Sequence, residues 1–140
     1  MHIVLACSFL LAPYMAAAQG FGNADQKIGL RSVSLVSLIA TPESFHGQKV
    51  RVIGAFNVAF EDNVLCLHME DLVNRISANC VWHRPDYESL RTTRNGLSVL
   101  NGRYVLVEGT YDMHRKGHFD CCAGEIGSVT RVEALRNYER

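Results

Sequence analysis

The clearest alternation of apolar and polar positions lies in residues 48–60, with the sequence QKVRVIGAFNVAF. Two valines alternate with Lys49 and Arg51, which is the two-residue period of a β-strand with one buried face. Gly54 interrupts the alternation, as glycine does where a strand bends or another backbone comes close. The stretch therefore predicts a long first strand, bent at Gly54, of a small closed β-barrel.

The rest of the chain predicts four more strands and two helical segments. Ser34 is a suitable N-cap for a short helix that ends near Ala40, ahead of the first strand. Asp86 is a suitable N-cap for a second helix that continues through Arg94. Further strands are predicted at residues 64–69, 76–83, 103–111 and 125–135. The second helix therefore falls between the third and fourth strands.

The order strand-strand-strand-helix-strand-strand is that of the OB-fold, a five-stranded Greek-key barrel. We therefore expect an all-β fold with minor α, namely an OB-fold-like five-stranded Greek-key barrel with an N-terminal helix and a helix between strands 3 and 4. The segment VSLVSLIATPESFHGQKVRVIGAF and the Asn-Gly turn before YVLVEGTYD resemble, in layout, small uncharacterised bacterial proteins of barrel type. The resemblance covers residues 33–135 and carries over no functional residue.

The first eighteen residues are predicted to be a signal peptide. They contain no Asp, Glu, Lys or Arg, and they end in three alanines that fit an A-x-A cleavage site. Their apolar run is too short to span a membrane comfortably, and Pro13 interrupts it. A buried N-terminal helix is the alternative interpretation. We expect a signal peptide at 1–18, a flexible arm at 19–32, the barrel domain at 33–136 and a tail at 137–140, in an exported protein, periplasmic or secreted, with no membrane span after cleavage.

The overall composition is that of one folded domain. The chain has 140 residues, of which 48% are hydrophobic and 20% charged, and its formal net charge is zero. Such a composition argues against a disordered chain. The lack of a basic surplus also argues against general nucleic-acid binding, which depends on neutralising phosphates.

Cysteine usage suggests disulfide bonds in the exported protein. Cleavage of the signal peptide would remove Cys7 and leave Cys66, Cys80, Cys121 and Cys122. An even number of cysteines in an exported domain is typical of disulfide pairing. Adjacent cysteines rarely bond to each other, so the first two are expected to pair either with each other or with the adjacent pair. In a cytosolic chain all four would instead be small buried hydrophobic residues.

The segment DMHRKGHFDCC contains a candidate metal site. His114, His118 and Cys121 are separated by three and two residues, and imidazole and thiolate are the usual ligands of zinc and copper. His68 or His83 would be a fourth ligand if the barrel brought it near. Against this hypothesis, the spacing matches no C-x-x-C pattern, and an exported protein more often oxidises such cysteines.

The same segment has the residue types of a cysteine nucleophile with a histidine base. Such chemistry also needs a preorganised pocket with an oxyanion hole, which a small barrel seldom provides alone. We therefore expect no enzymatic activity.

A candidate ligand-binding face lies at the end of the third predicted strand. Trp82, His83 and Arg84 stand there, and His68 ends the second strand. OB-folds often bind ligands across these two strands, and an aromatic ring beside a cation can stack on a base or a sugar. The alternative is that Trp82 is the core tryptophan of a small barrel.

These observations together predict a non-catalytic exported binding protein of the bacterial envelope, acting on a protein partner or a small ligand. One specific form is an immunity or inhibitor protein that blocks a toxin delivered to the periplasm. The alternative is a periplasmic metal-binding protein that holds zinc or copper in the 114–122 loop. We expect neither another cofactor nor a nucleic-acid partner.

Overall fold

The computed structural model describes residues 29–136, so the predicted signal peptide, most of the predicted arm and the tail lie outside the described residues. The strands are β1 Arg31–Ser32, β2 Lys49–Asn57, β3 Val64–Cys66, β4 Cys80–Pro85, β5 Arg103–Asp112 and β6 Glu125–Ala134. The α-helices are α1 Leu35–Ala40, α2 Met69–Asn74 and α3 Arg94–Ser98, and the 3₁₀ turns are Pro42–Ser44, Ser77–Asn79 and His118–Asp120.

Five of the strands close into a mixed barrel. β2 pairs antiparallel with β3, and β3 pairs antiparallel with β4. β4 then runs parallel to β6, β6 pairs antiparallel with β5, and β5 returns to β2. With α1 ahead of the barrel and α3 between β4 and β5, this arrangement confirms the predicted OB-like all-β fold with minor α.

The short strand β1 adds a partner outside the barrel. Arg31–Ser32 runs parallel to β2, with Arg31 opposite Val50. The last two residues of the predicted flexible arm therefore belong to the sheet.

Strand β2 pairs with two neighbours, which explains its length. Its residues from Lys49 to Phe56 lie opposite β5, and those from Ala55 to Asn57 also lie opposite β3. A Cβ atom at Gly54 would lie 2.7 Å from the carbonyl oxygen of Cys66 and 2.8 Å from Leu65 Cγ. Only glycine leaves room for this close approach. Gly54 is therefore the point where β2 bends, so that it pairs with both β5 and β3.

The barrel interior is filled by the apolar residues of the alternating patterns. Its fully buried members include Val50, Val52, Phe56, Leu65, Val81, Val105, Val107, Tyr111, Ile126 and Val129. Leu35 and Leu38 of α1 and Leu97 of α3 join the same cluster. Burial of each such aliphatic or aromatic side chain stabilises the fold by about 1.5–3 kcal/mol relative to exposure.

Tyr111 connects the first helix to this core. Its ring is fully buried, and its hydroxyl donates to the carbonyl oxygen of Leu38 at 3.2 Å. Burial, with smaller contributions from the charges of Asp112 and Glu43, raises the pKa of Tyr111 to about 12. At the start of the helix, Ser34 accepts a hydrogen bond from Ser37 N at 3.1 Å, as predicted for its N-cap.

The second predicted strand is shorter than its apolar pattern suggested. β3 ends at Cys66, and α2 begins at Met69. Asp71 Oδ2 accepts a hydrogen bond from His68 N at 3.0 Å, which ends the extended segment and starts the helix. The prediction of a strand through residue 69 was therefore wrong, and His68 lies at the helix N-cap.

The helix predicted to begin at Asp86 is also displaced. Asp86 does accept hydrogen bonds from Ser89 N and Ser89 Oγ, at 3.1 and 2.7 Å, but the segment stays a turn. The turn ends where Arg91 takes a left-handed conformation with φ of 51°. The helix α3 starts afterwards, and Thr93 caps it by accepting a hydrogen bond from Gly96 N at 3.2 Å.

Candidate ligand-binding cleft around Trp82

The outer face of β3 and β4 carries a second apolar cluster, separate from the barrel interior. It contains Ala55, Val64, Cys66, Cys80 and Cys122, with Met69, Leu72, Trp82 and Cys121 packed against it. Helix α2 lies along one side of this cluster, and the loop between β5 and β6 lies along the other. A cleft is therefore built on the strand pair that OB-folds use for ligands.

A disulfide bond forms part of the floor of this cleft. Cys66 and Cys80 are bonded, and they stand directly opposite each other on the antiparallel pair of β3 and β4. Of the two pairings left open by the sequence, the structure has the one between the first two cysteines. Among the cysteines of residues 29–136, Cys121 and Cys122 form no disulfide bond.

The cleft consists of two neighbouring cavities, of about 280 and 520 Å³, which share Glu61, Trp82 and His118. We call these two cavities together the Trp82 cleft. The smaller cavity lies between α2 and the β5–β6 loop and is lined by the disulfide, Leu72, Arg75 and Cys121. The larger one extends toward Arg84, Arg115 and Glu125.

The β5–β6 loop is fixed over Trp82 by backbone contacts. Trp82 N donates to the carbonyl oxygen of Gly124 at 2.8 Å, and Ala123 N donates to that of Cys80 at 3.0 Å. Gly117 lies against the indole ring, with φ of 76°, and a Cβ atom there would overlap the ring. A glycine is therefore required at this position for two reasons, the conformation and the close approach. Trp82 is half-buried and accessible from both cavities.

A buried carboxylate faces two guanidinium groups in the larger cavity. The Glu125 side chain is 8% exposed, and its Oε1 lies 3.0 Å from Arg84 Nη2 and 3.9 Å from Arg115 Nη1. The nearer contact is an ion pair without well-directed hydrogen-bond geometry, so Oε1 has no hydrogen-bond partner within the described residues. Glu125 Oε1 is itself buried, so the charge of this carboxylate is balanced by Arg84 at the wall of the cavity.

The structure separates the residues of the predicted metal site. The His114 ring packs edge-on against His46 with centroids 4.9 Å apart, His118 Nε2 lies 3.4 Å from Glu61 Oε2, and Cys121 contacts Cys122. Across residues 29–136, no three His, Cys, Asp or Glu side chains are grouped so that they could hold a metal ion. Metal binding by this loop stays a prediction that the geometry does not support.

Two of the four predicted ligand-binding residues line the cleft. Trp82 and Arg84 are two residues apart on β4, so their side chains leave the same face of the strand. His68 is exposed at the N-terminus of α2 and lines neither cavity. His83 points into the barrel and is fully buried, which removes it from the ligand-binding face.

His83 is a core residue held by stacking and one hydrogen bond. Its ring stacks on Phe56 with centroids 4.6 Å apart, and its Nε2 lies 2.8 Å from the carbonyl oxygen of Asn57. Because a carbonyl only accepts, Nε2 must carry the proton, and the buried Nδ1 has no hydrogen-bond partner among residues 29–136. Burial lowers the pKa of His83 to about 4, against a smaller opposing effect of the Asn57 hydrogen bond. The ring is therefore neutral at pH 7.

Two exposed phenylalanines at the cleft were not predicted from the sequence. Phe60 is 77% exposed and lines the larger cavity, while Phe119 is 92% exposed and lines the smaller one. Phe119 also has a left-handed backbone with φ of 54°, which is unusual for a bulky residue. Nothing in the amino-acid pattern distinguishes these two side chains from core phenylalanines.

Comparison with known proteins assigns no family to the chain. The sequence matches no protein-family model and no curated protein sequence. The likeness to small bacterial OB-fold proteins therefore stays a prediction. No helix of residues 29–136 is long and apolar enough to cross a membrane.

Proposed function

We propose that the protein is a non-catalytic, exported binding protein of the bacterial envelope, and that it binds a protein partner through the Trp82 cleft. An immunity or inhibitor protein, which blocks a toxin delivered to the periplasm, is the specific form that we expect. The observation that carries the proposal is the exposure of Phe60 and Phe119 at the cleft, beside the half-buried Trp82.

The chemistry of these side chains supports a protein partner. Exposed aromatic residues grouped around a cavity mark interaction sites, and aromatic anchors contribute much of the binding energy in protein interfaces. The left-handed conformation of Phe119 costs folding free energy, while its ring is 92% exposed and packs edge-on against the neighbouring His118 ring, with centroids 4.0 Å apart. A role in binding would explain why a bulky residue is held there.

The charges around the cleft support the same interpretation. The larger cavity is lined by four basic and three acidic side chains, and both signs are interspersed. Such a mixed polar rim around an apolar centre is typical of protein interfaces. It is unlike the continuous basic groove that tracks a nucleic-acid backbone.

The proposal is tested by affinity capture from the envelope fraction of the organism that encodes the protein. The bait is the mature chain, compared with the double variant Phe60→Ala/Phe119→Ala and with Val99→Ala. Val99 is a matched control because it is 73% exposed but does not line the cleft. We expect a protein that both the wild type and the control retain and the double variant loses.

The captured protein is then purified and titrated against each variant. Loss of one aromatic anchor typically costs about 2 kcal/mol, which corresponds to roughly a thirty-fold weaker Kd. The chain has one tryptophan, so the fluorescence of Trp82 reports binding at the cleft itself. Equal affinity of the wild type and the double variant would refute the proposed site.

A further inference from the structure

The adjacent cysteines at the edge of the cleft are placed for a redox reaction. The Sγ atoms of Cys121 and Cys122 lie 2.6 Å apart. Non-bonded heavy atoms in contact are normally about 3.5–4.0 Å apart, whereas the bond of a disulfide measures about 2.05 Å. We propose that Cys121 and Cys122 are a redox-active vicinal pair, which a small-molecule disulfide converts from a dithiol into a disulfide bond between adjacent residues.

The fold holds the two cysteines in this position through their backbone. Cys121 N donates to the carbonyl oxygen of His118 at 3.3 Å, and Cys122 N donates to that of Lys116 at 3.1 Å. Both residues are thereby tied to the turn that precedes them. The next residue, Ala123, donates a backbone hydrogen bond to the carbonyl oxygen of Cys80, which holds the pair against β4. The proximity of the thiols is therefore a property of the folded loop.

The backbone immediately before the pair is also unusual. Phe119 and Asp120 both have positive φ, of 54° and 52°. Consecutive left-handed residues of this kind persist only when surrounding contacts hold them. Adjacent cysteines rarely bond because the peptide between them must deform. Cys121 itself has an ordinary right-handed conformation, with φ of −65° and ψ of −30°, so the unusual conformation ends at the residue before the pair.

The two thiols differ in access, which sets the order of the reaction. Cys121 lines the smaller cavity and is half-buried, while Cys122 is 5% exposed. Burial raises the pKa of Cys122, and the neighbouring Cys121 thiol raises it further. A dissolved disulfide therefore reaches Cys121 first, and Cys122 acts second as the resolving thiol.

The reaction is a two-step thiol–disulfide exchange. The Cys121 thiolate attacks one sulfur of the reagent, whose own S–S bond breaks, and a mixed disulfide forms while one thiolate leaves. The leaving thiolate takes up the proton that Cys121 has lost. Cys122 then gives up its proton to solvent and attacks the Cys121 sulfur, which breaks the mixed disulfide and releases a second thiolate that takes up a proton from solvent. In total two S–H bonds become one S–S bond, and the reagent disulfide is reduced to two thiols.

Peptide mapping tests this proposal without interference from the other cysteines. The full chain is reduced, desalted, exposed to oxidised glutathione, quenched with acid and alkylated with N-ethylmaleimide. Trypsin cleaves after Lys116 and Arg131, so one peptide, residues 117–131, carries Cys121 and Cys122 and no further cysteine. We expect this peptide to lose both thiol hydrogens and to carry no alkyl group.

The same reaction in urea is the control for the role of the fold. Because the folded loop holds the thiols together, we expect ring closure to be about tenfold slower, or more, in the unfolded chain. A doubly alkylated peptide from the folded chain, a glutathione adduct that persists there, or equal closure rates in both states would each overturn the proposal.

Two single variants test the order of attack. Cys122→Ser should stop at a stable glutathione adduct on Cys121, because the resolving thiol is missing. Cys121→Ser should leave Cys122 as a free thiol that glutathione reaches slowly. Equal rates of adduct formation in the two variants would contradict the assignment of Cys121 as the attacking thiol.

Discussion

Protonation of His83 is expected to destabilise the barrel as the pH falls. The ring is fully buried, its Nδ1 has no hydrogen-bond partner in the described part of the chain, and its pKa in the folded protein is about 4, compared with 6.5 in the absence of the fold. Between these two pH values the unfolded chain binds a proton at this residue and the folded protein does not. The contribution of the neutral ring to the free energy of unfolding is therefore fully present above pH 6.5, and it is lost as the pH falls toward 4.

The size of the effect follows from the two pKa values. For one group that titrates at 6.5 when unfolded and at about 4 when folded, the free energy of unfolding falls by about 2.5 kcal/mol between pH 7.5 and 4.5. The assay is urea unfolding at both pH values, followed by far-ultraviolet circular dichroism. Other titrating groups also contribute, so a variant is needed to isolate His83.

His83→Gln is the matched control. Its side-chain amide retains a donor for the carbonyl oxygen of Asn57 but does not titrate. Any loss of packing in the variant is present at both pH values and cancels in the comparison. We expect the wild type to lose about 2.5 kcal/mol more than the variant over this pH range. Equal losses in the two proteins would refute the assignment of His83 as a buried neutral residue.

Three further substitutions test the core and the cleft. Tyr111→Phe removes the hydroxyl donor to Leu38 O and should lower the free energy of unfolding by about 0.5–1.5 kcal/mol in urea titrations; an unchanged value would contradict the role of that hydrogen bond. Gly117→Ala should displace the loop from the indole and shift the emission maximum of Trp82, and an identical spectrum would argue against the contact. Phe119→Gly relieves a left-handed conformation and should raise the unfolding free energy by about 0.5–1 kcal/mol while weakening partner binding; a destabilised variant would show that Phe119 has a structural role.

The fold was predictable because its signals are local. The alternation in residues 48–60 and the break at Gly54 depend only on neighbouring positions, and β2 has both features. The predicted strand bounds were wrong where a single polar contact outweighs the β-propensity of the apolar residues. The apolar run that begins at Val64 continues beyond Cys66, yet the bond from His68 N to Asp71 ends the strand. His68 and Asp71 have the spacing of a capping box but not its usual residues, Ser or Thr followed by Glu or Gln, so the sequence contained no clear signal of this helix start.

The candidate site was predictable only in part. Alternation along β4 puts Trp82 on the opposite face from Val81, and the same rule puts His83 inward, so the burial of His83 had a signal in the sequence. The exposure of Phe60 and Phe119 had no signal in the sequence. It depends on how the loop after β2 packs against the loop between β5 and β6. The contact of the adjacent cysteines depends on backbone hydrogen bonds within the folded loop and on the one from Ala123 N to Cys80 O, which a linear pattern does not contain.

Photo-crosslinking in intact cells tests whether the Trp82 cleft binds a protein. Benzoylphenylalanine replaces Phe119, whose side chain is 92% exposed at the cleft, and in a control chain it replaces Val99, which is 73% exposed away from it. We expect one discrete crosslinked protein from position 119 and none of that mass from position 99. Crosslinks of the same pattern from both positions, or none from position 119 in cells that contain the folded protein, would contradict it.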